Sequence, residues 1–430
     1  MKNRILLVSY LLLFAMTAAA QDRWVTTWAA SPQAASFNLP LPKQNAAAPK
    51  VDAPAPKPAA QNQASPFAMP PNVNNQTVRL IAHTTIGGTR ARVQLSNAYG
   101  TEPLTVGAAH IALRAKGSAI VPESDRALTF SGNPSISIPP GAPVVSDSLD
   151  FPVPRNGDLV ISLFIAGDAT APTIHLTGLH TTYISKSGDF TKAAEIADAT
   201  TTQTWYWISS VDVLAPADAG AIVAFGDSIT DGATSTPDTD RSWPSQFAER
   251  LAANQATQNV AIVNHGISGN RLLADGAGIS ALARFDRDVI AQPGVKWLIV
   301  LEGINDIGWA QMTGGPAVSA NDLIAAHKQM IERAHMHGIK AIGATLLPYG
   351  GATYYSEKGE ATRQALNNWI RTSGVYDAVV DFDAKLRDPQ NPSQLNPAYF
   401  INDHLHPNDA GYRLMAETID LAIFGAAKVK

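Results

Sequence analysis

Cysteine is absent from all 430 residues. That excludes disulfides, thiolate zinc sites, a cysteine nucleophile and a lipid-anchored cysteine behind a leader. The chain must be held by its core alone. At this length, 45% hydrophobic residues allow that, more readily in two domains than in one. An excess of basic residues is also missing. The formal net charge is -4, so there is no electrostatic footprint for nucleic acid. Beyond the first twenty residues no long apolar run occurs, and no stable membrane insertion is expected. No repeat of fixed period points to a solenoid.

The one apolar run stands at the start. Lys2 and Arg4 precede a mostly apolar stretch from Ile5 to Met16, followed by the small residues Thr17-Ala-Ala-Ala20. This pattern predicts a signal peptide over residues 1–20, cleaved after Ala20, and a secreted or periplasmic product. Residues 21–215 read as an antiparallel β-sandwich domain. Within it, Arg90, Arg92 and Gln94 alternate with Ala91, Val93 and Leu95, the period of a half-buried strand. Gly87-Gly88 predicts a hairpin turn back from the strand Thr77–Ile81. Trp205 and Trp207 alternate within one predicted strand and should face the same core. An Ala/Pro-rich insertion, at about 39–75, cannot bury a core.

Residues 216–430 change pattern. Apolar strands near Ala221–Phe225, Val260–Val263, Trp297–Leu301, Ile339–Thr345 and Ala378–Phe382 alternate with amphipathic segments. Trp243, Phe247 and Leu251 share one helix face; Leu323, Ile324, His327, Met330, Ile331 and Ala334 share another, with Gly338 as a C-cap. Five β-α units predict a five-stranded parallel sheet with helices on both faces, a three-layer α/β/α sandwich. Such sheets bind ligands beyond the carboxyl ends of their strands.

The segments at those carboxyl ends are polar and glycine-rich. The first strand ends in Gly226-Asp227-Ser228, the second in "NHGISGNR", the third in "EGINDIG", and the fifth leads to "NDHLHPNDAGY". Each supplies a part of an acyl-transfer site. Ser228 can attack a carbonyl, His406 can accept its proton, and Asp403 can orient the imidazole. The Ser228 and Gly269 N–H groups and the Asn305 amide can hold the oxyanion. Gly226, Asp227, Gly303 and Asp306 are expected to shape the supporting loops, with Gly226 making a sharp turn. Pro407 suits the first position of the last helix, and Asp409 competes as its cap. Gly266 shares a loop with Gly269 and is expected to be a turn residue.

These four blocks resemble those of the SGNH (GDSL) hydrolases: Gly226-Asp-Ser228, Gly269, Gly303-Ile-Asn-Asp306 and Asp403-His-Leu-His406-Pro407, in that order. The resemblance spans about Ala221 to Phe424. It implies a carboxylic ester hydrolase with Ser228, Gly269, Asn305 and His406 at the family's four positions. The family comprises esterases, lipases, carbohydrate deacetylases and some acyltransferases, all on one chemistry. Upstream, "WVTTWAASP" and "RARVQLSNAYGTEPLTVG" look like segments of the secreted bacterial branch with an N-terminal β-domain. Two departures stand out: the first block reads "GDSI", and the Ala/Pro insertion has no place in the pattern. Thr230 breaks the Gly-x-Ser-x-Gly elbow of the α/β-hydrolases.

A site of this kind requires no cofactor and no metal. The expected partner is a small-molecule or polysaccharide ester, with acetyl groups on carbohydrate ahead of lysophospholipids, and no oligomeric state is implied. Rival readings are a lipolytic acylhydrolase or an O-acyltransferase with the same catalytic residues, then a metal-dependent hydrolase built on His404 and His406, and a non-catalytic carbohydrate-binding protein working through its β-domain. His335 and His337 read as the exposed end of a helix. Trp309, Tyr349, Tyr354 and Tyr355 come after strands and suit a pocket wall or simple packing equally.

Overall fold

The computed structural model of the chain describes residues 23–35, 71–169, 172–313 and 316–425. The expected signal peptide and most of the Ala/Pro insertion lie outside these residues. The C-terminal end of that insertion does not behave as expected: Val73–Asn75 already belong to the strand Val73–His83, whose Val73 is fully buried.

The first part of the chain forms two antiparallel sheets. One runs in the order Arg23–Ala29, Ile208–Ala215, Gly88–Ser96, Leu149–Val153. The other has Val73–His83, Asp158–Ala169 and Leu104–Lys116 at its centre. Ala91, Val93 and Leu95 are fully buried between the sheets while Arg90, Arg92 and Gln94 face outward, as a two-residue period requires. The predicted hairpin at Gly87-Gly88 is not one. Val73–His83 and Gly88–Ser96 lie in different sheets, so the turn carries the chain across the sandwich. Trp205 and Trp207 are both in the core, but they do not share a strand. Trp207 takes a left-handed backbone, φ 55°, which ends one strand and starts the next. A small third sheet joins Trp205–Tyr206, Thr173–His175 and Gln33–Ala34.

From Gly220 onward the strands are parallel. Numbered along the chain, they lie in the order 2-1-3-4-5: Val260–Gly266, Gly220–Gly226, Val295–Leu301, Lys340–Ala344, Ala378–Val380. The first strand is buried at all seven positions, as expected of a strand covered on both faces. Trp243–Ala253, Phe382–Leu386 and Asp409–Thr418 pack together as one helical layer. Ala281–Phe285, Ile304–Thr313, Ala320–Met336 and Glu357–Thr372 form the other. The fold is therefore the expected three-layer α/β/α sandwich behind an antiparallel β-sandwich. The predicted fifth strand is shorter than expected, because Phe382 opens a helix.

The β-sandwich covers the open edge of the parallel sheet. Arg23–Ala29 packs on the edge strand Val260–Gly266, and Ile262 N–H donates to Thr85 Oγ1 at 3.3 Å. Thr26 N–H donates to the Pro293 carbonyl at 3.0 Å. An exposed edge strand is a template for aggregation, and this packing removes it. The reversal of strand order falls at the first strand, which has neighbours leading off in both directions. Sheets of this order place their ligands at that point, and Ser228 stands there.

Candidate active site

The strand Gly220–Gly226 delivers its chain to Asp227, whose Oδ1 accepts from Ile229 N at 3.0 Å and caps a single helical turn, Ser228–Asp231. The turn closes at Gly232, φ 102°. Gly226 does not make the sharp turn expected of it. Its φ is not positive; a Cβ there would lie 2.3 Å from Thr230 Oγ1 and 2.4 Å from the Leu301 carbonyl. Glycine is needed for close packing of the turn on its own strand. Gly266 is likewise a packing residue rather than a turn, since a Cβ would meet Asp231 N at 2.2 Å.

Ser228 Oγ lies 2.8 Å from His406 Nε2, and His406 Nδ1 lies 2.6 Å from Asp403 Oδ2. The other carboxylate oxygen, Asp403 Oδ1, accepts from Leu405 N and His406 N, each at 3.0 Å. Partial burial opposes the charge on Asp403, but these hydrogen bonds and His406 outweigh it and lower its pKa. An ionised Asp403 requires the proton on Nδ1. Nε2 then presents a lone pair to the Ser228 hydroxyl, which donates to it. Both ring nitrogens of His406 are thus engaged. The neighbouring His404, with φ 58°, packs its ring against Phe400, with centroids 4.7 Å apart and planes tilted by 42°. The two do not converge as metal ligands.

Pro407 is not the first residue of the last helix. Asn408 caps that helix through Gly411 N at 2.9 Å, and the helix runs Asp409–Thr418. Asp409 instead anchors Thr236, receiving its N–H at 2.9 Å and its hydroxyl at 2.6 Å.

The expected oxyanion loop is pinned on both sides of Gly269, which has φ 79°. Before it, Ser268 N donates to Asp231 Oδ2 at 2.9 Å. After it, the Asn270 carbonyl accepts from Asn305 Nδ2 at 2.9 Å. Asn305 is 4% exposed and spends one amide hydrogen on this bond, leaving the other for a ligand. Asp306 holds the end of the same loop, accepting from Leu272 N at 2.7 Å and Leu273 N at 2.9 Å. Gly303, φ 123°, turns the chain from the third strand into the helix that carries Asn305. Tyr354, 8% exposed, donates to Asn305 Oδ1 at 3.4 Å and presses on Gly308. Tyr354 is thus a packing residue beside Asn305, and Tyr349 is fully buried packing.

Arg284 was not legible as a site residue, yet it ties the loops together. It is fully buried and donates to the Gly226 carbonyl at 2.8 Å, the His265 carbonyl at 2.7 Å and Asn270 Oδ1 at 2.9 Å. Its charge is met by Asp288 at 3.1 Å. A signal was present: Arg284 and Asp288, opposite charges four apart, share a helix face with Ala281 and Phe285.

Three carboxyls lie behind the site. Glu302 is fully buried, and burial drives its pKa well above the usual range. Burial also raises Asp306 to about 6 and Asp227 to about 7, although hydrogen bonds from Ile229 N and the nearby His406 work against the shift at Asp227. A carboxyl with a raised folded pKa keeps a proton that the unfolded chain has released. Its presence therefore lowers stability as pH rises from about 4 to about 7, and no further above that. For Asp227 the loss is on the order of 4 kcal/mol. Asp227→Asn, which can still cap Ile229, is expected to flatten this dependence. Denaturant unfolding at pH 5 and pH 8 should show the variant losing about 2 to 3 kcal/mol less than the wild type between the two; equal losses would refute the assignment.

Among the described residues no helix is long and apolar enough to cross a membrane. Residues 224–414 match the model of the GDSL-like lipase/acylhydrolase family. No curated protein matches the chain. Solved structures that resemble it include a G-D-S-L family protein from Desulfitobacterium hafniense, at 25% identity over 46% of this chain and 96% of that one, with a TM-score of 0.34. A GDSL-like lipase from Bacteroides thetaiotaomicron is 24% identical over 47% and 87%, TM-score 0.36. An acetyl xylan esterase from Geobacillus stearothermophilus is 23% identical over 47% and 94%, TM-score 0.37. Over residues 224–414 the chain therefore carries a domain similar to the GDSL-like lipase/acylhydrolase family.

Proposed function

We propose that the protein is a secreted serine esterase that removes short acyl groups, acetyl above all, from carbohydrate. One observation carries the mechanism: Ser228 Oγ, His406 and Asp403 form a continuous hydrogen-bonded line, 2.8 Å and 2.6 Å. Ser228 attacks the ester carbonyl and its proton passes to His406 Nε2. The tetrahedral oxyanion is received by the N–H groups of Ser228 and Gly269 and by the free amide hydrogen of Asn305. Collapse expels the alcohol, which takes the proton from His406. Water, deprotonated by His406, then releases the acid and restores Ser228. Asp403 stays ionised throughout and stabilises the imidazolium.

The preference for short acyl groups is supported by Tyr354, whose ring occupies the space beside Asn305 and Gly308. The carbohydrate part of the reading draws on the β-sandwich packed against the hydrolase domain, an analogy of architecture. The leader-like residues 1–20 supply the export. Nitrophenyl esters from acetate to octanoate test the acyl preference. The kcat/KM for acetate is expected to exceed that for octanoate by about tenfold or more, with acetate released from acetylated polysaccharide. An optimum at octanoate and no acetate release would refute the substrate reading.

A further inference from the structure

The nucleophile turn ends on Asp231, whose side chain is 3% exposed. Asp231 Oδ2 accepts from both Ser268 N at 2.9 Å and Ser268 Oγ at 2.6 Å. Its other oxygen, Oδ1, lies 2.9 Å from His175 Nε2. His175 is a residue of the β-sandwich part of the chain, the last of the strand Thr173–His175. Its Nδ1 lies 3.0 Å from the Ser31 carbonyl oxygen. Both of its partners accept, so both ring nitrogens must donate, and His175 is an imidazolium. Burial and Arg284 oppose that charge, but Asp231 and the Ser31 carbonyl outweigh them and raise its pKa. The Trp205 ring packs beside it at 5.6 Å. Two residues on, Thr177 Oγ1 donates to Ser268 Oγ at 3.0 Å.

Ser268 is the residue before Gly269. Its backbone and side chain are therefore held by one carboxylate that is itself the end of the Ser228 turn, and that carboxylate is held in turn by the neighbouring domain. We infer that the β-sandwich is a working part of the hydrolase site, with His175 and Thr177 as positioning residues that set the Gly269 N–H through Asp231 and Ser268. This rests on the serine-esterase reading above. The contact spans 56 residues from His175 to Asp231 and touches no substrate. It acts on the oxyanion, whose charge exists only in the transition state, so its loss belongs in kcat rather than KM.

The test uses the full chain and nitrophenyl acetate, with sites counted by fluorophosphonate labelling so that misfolded protein is discounted. His175→Ala is expected to lower kcat per labelled site by about tenfold or more, with KM within about twofold. His175→Gln, which can still donate one hydrogen to Asp231, should recover part of the loss. It also stands in if His175→Ala yields no labelled sites, with a drop of about threefold or more then required. Adding Ser268→Ala to either variant should cost little more, since both act on one chain of contacts. Asp212→Asn breaks the sandwich ion pair with Arg92, at 2.8 Å, away from the site. It should lower the melting temperature and leave kcat per labelled site unchanged.

A His175 variant with wild-type kcat per labelled site would overturn the inference, as would a loss confined to KM or an equal fall in kcat for Asp212→Asn. Ser228→Ala separates the two levels. If that variant keeps its activity, the esterase reading itself fails; if it is inactive while the His175 variants turn over normally, only the positioning role fails.

Discussion

Ser228→Ala is expected to lower ester turnover by about 10⁴- to 10⁶-fold with little change in folding. The substitution removes one oxygen from a side chain that is 6% exposed. The turn that carries it does not depend on that oxygen. Asp227 Oδ1 still caps Ile229 N at 3.0 Å, and the Ser228 carbonyl still accepts from Gly232 N and Ala233 N. The backbone N–H of residue 228 also remains, so part of the oxyanion site survives. What is lost is the only atom placed within hydrogen-bond distance of His406 Nε2 among the described residues. Without it His406 can activate only water, at a position that no side chain defines. The residual rate should therefore be that of an oxyanion site without a nucleophile. Stopped-assay kinetics on nitrophenyl acetate, with melting temperature as the folding control, measure both. Near-normal turnover by a folded variant would remove Ser228 from the mechanism.

The blocks that point to this site are short and local, and that is why they were legible. A buried parallel strand is an apolar run, its end is a glycine or a polar residue, and both can be seen within a dozen residues. Gly226-Asp-Ser228, Gly269, Asn305 and Asp403-His-Leu-His406 lie at such ends, and the fold brings the last block to the first across 178 residues. The helix faces were legible for the same reason: Trp243, Phe247 and Leu251 are all buried on one side of Trp243–Ala253.

Partner choice between distant strands left no local mark. The two glycines at 87–88 suit a hairpin and a crossover equally, and only packing of the two sheets selects the crossover. Trp207 fits an alternating pattern until its left-handed backbone, imposed by the core around it, breaks the strand. Arg284 reaches Ser31 across 253 residues, at 3.2 Å, and His175 reaches Asp231 across 56. These buried polar contacts join segments whose sequences carry no shared period. They are nevertheless what holds the legible blocks in register, because each unpaired partner would leave a polar group in the core.

Asp403→Asn should have the second largest effect, a fall of roughly 10⁴-fold in kcat at neutral pH, by inverting the imidazole rather than by removing it. Asp403 Oδ1 accepts two backbone N–H groups, from Leu405 and His406, each at 3.0 Å. An asparagine must keep its carbonyl oxygen there, since an NH₂ would oppose two donors. Its NH₂ then takes the place of Oδ2, 2.6 Å from His406 Nδ1. Facing a donor, Nδ1 gives up its proton, and the neutral ring carries it on Nε2 instead. Nε2–H now points at the Ser228 hydroxyl and cannot accept from it. The nucleophile, the oxyanion donors and the ring all stay in place, and the base is lost. Nitrogen NMR of the labelled ring checks the cause directly. The wild type should show the Nδ1–H tautomer and Asp403→Asn the Nε2–H tautomer, with melting temperatures close together because the backbone bonds to position 403 persist. A variant that keeps the Nδ1–H tautomer and loses activity would assign Asp403 a different role, and one that keeps both would leave the Ser228–His406 pair working without it.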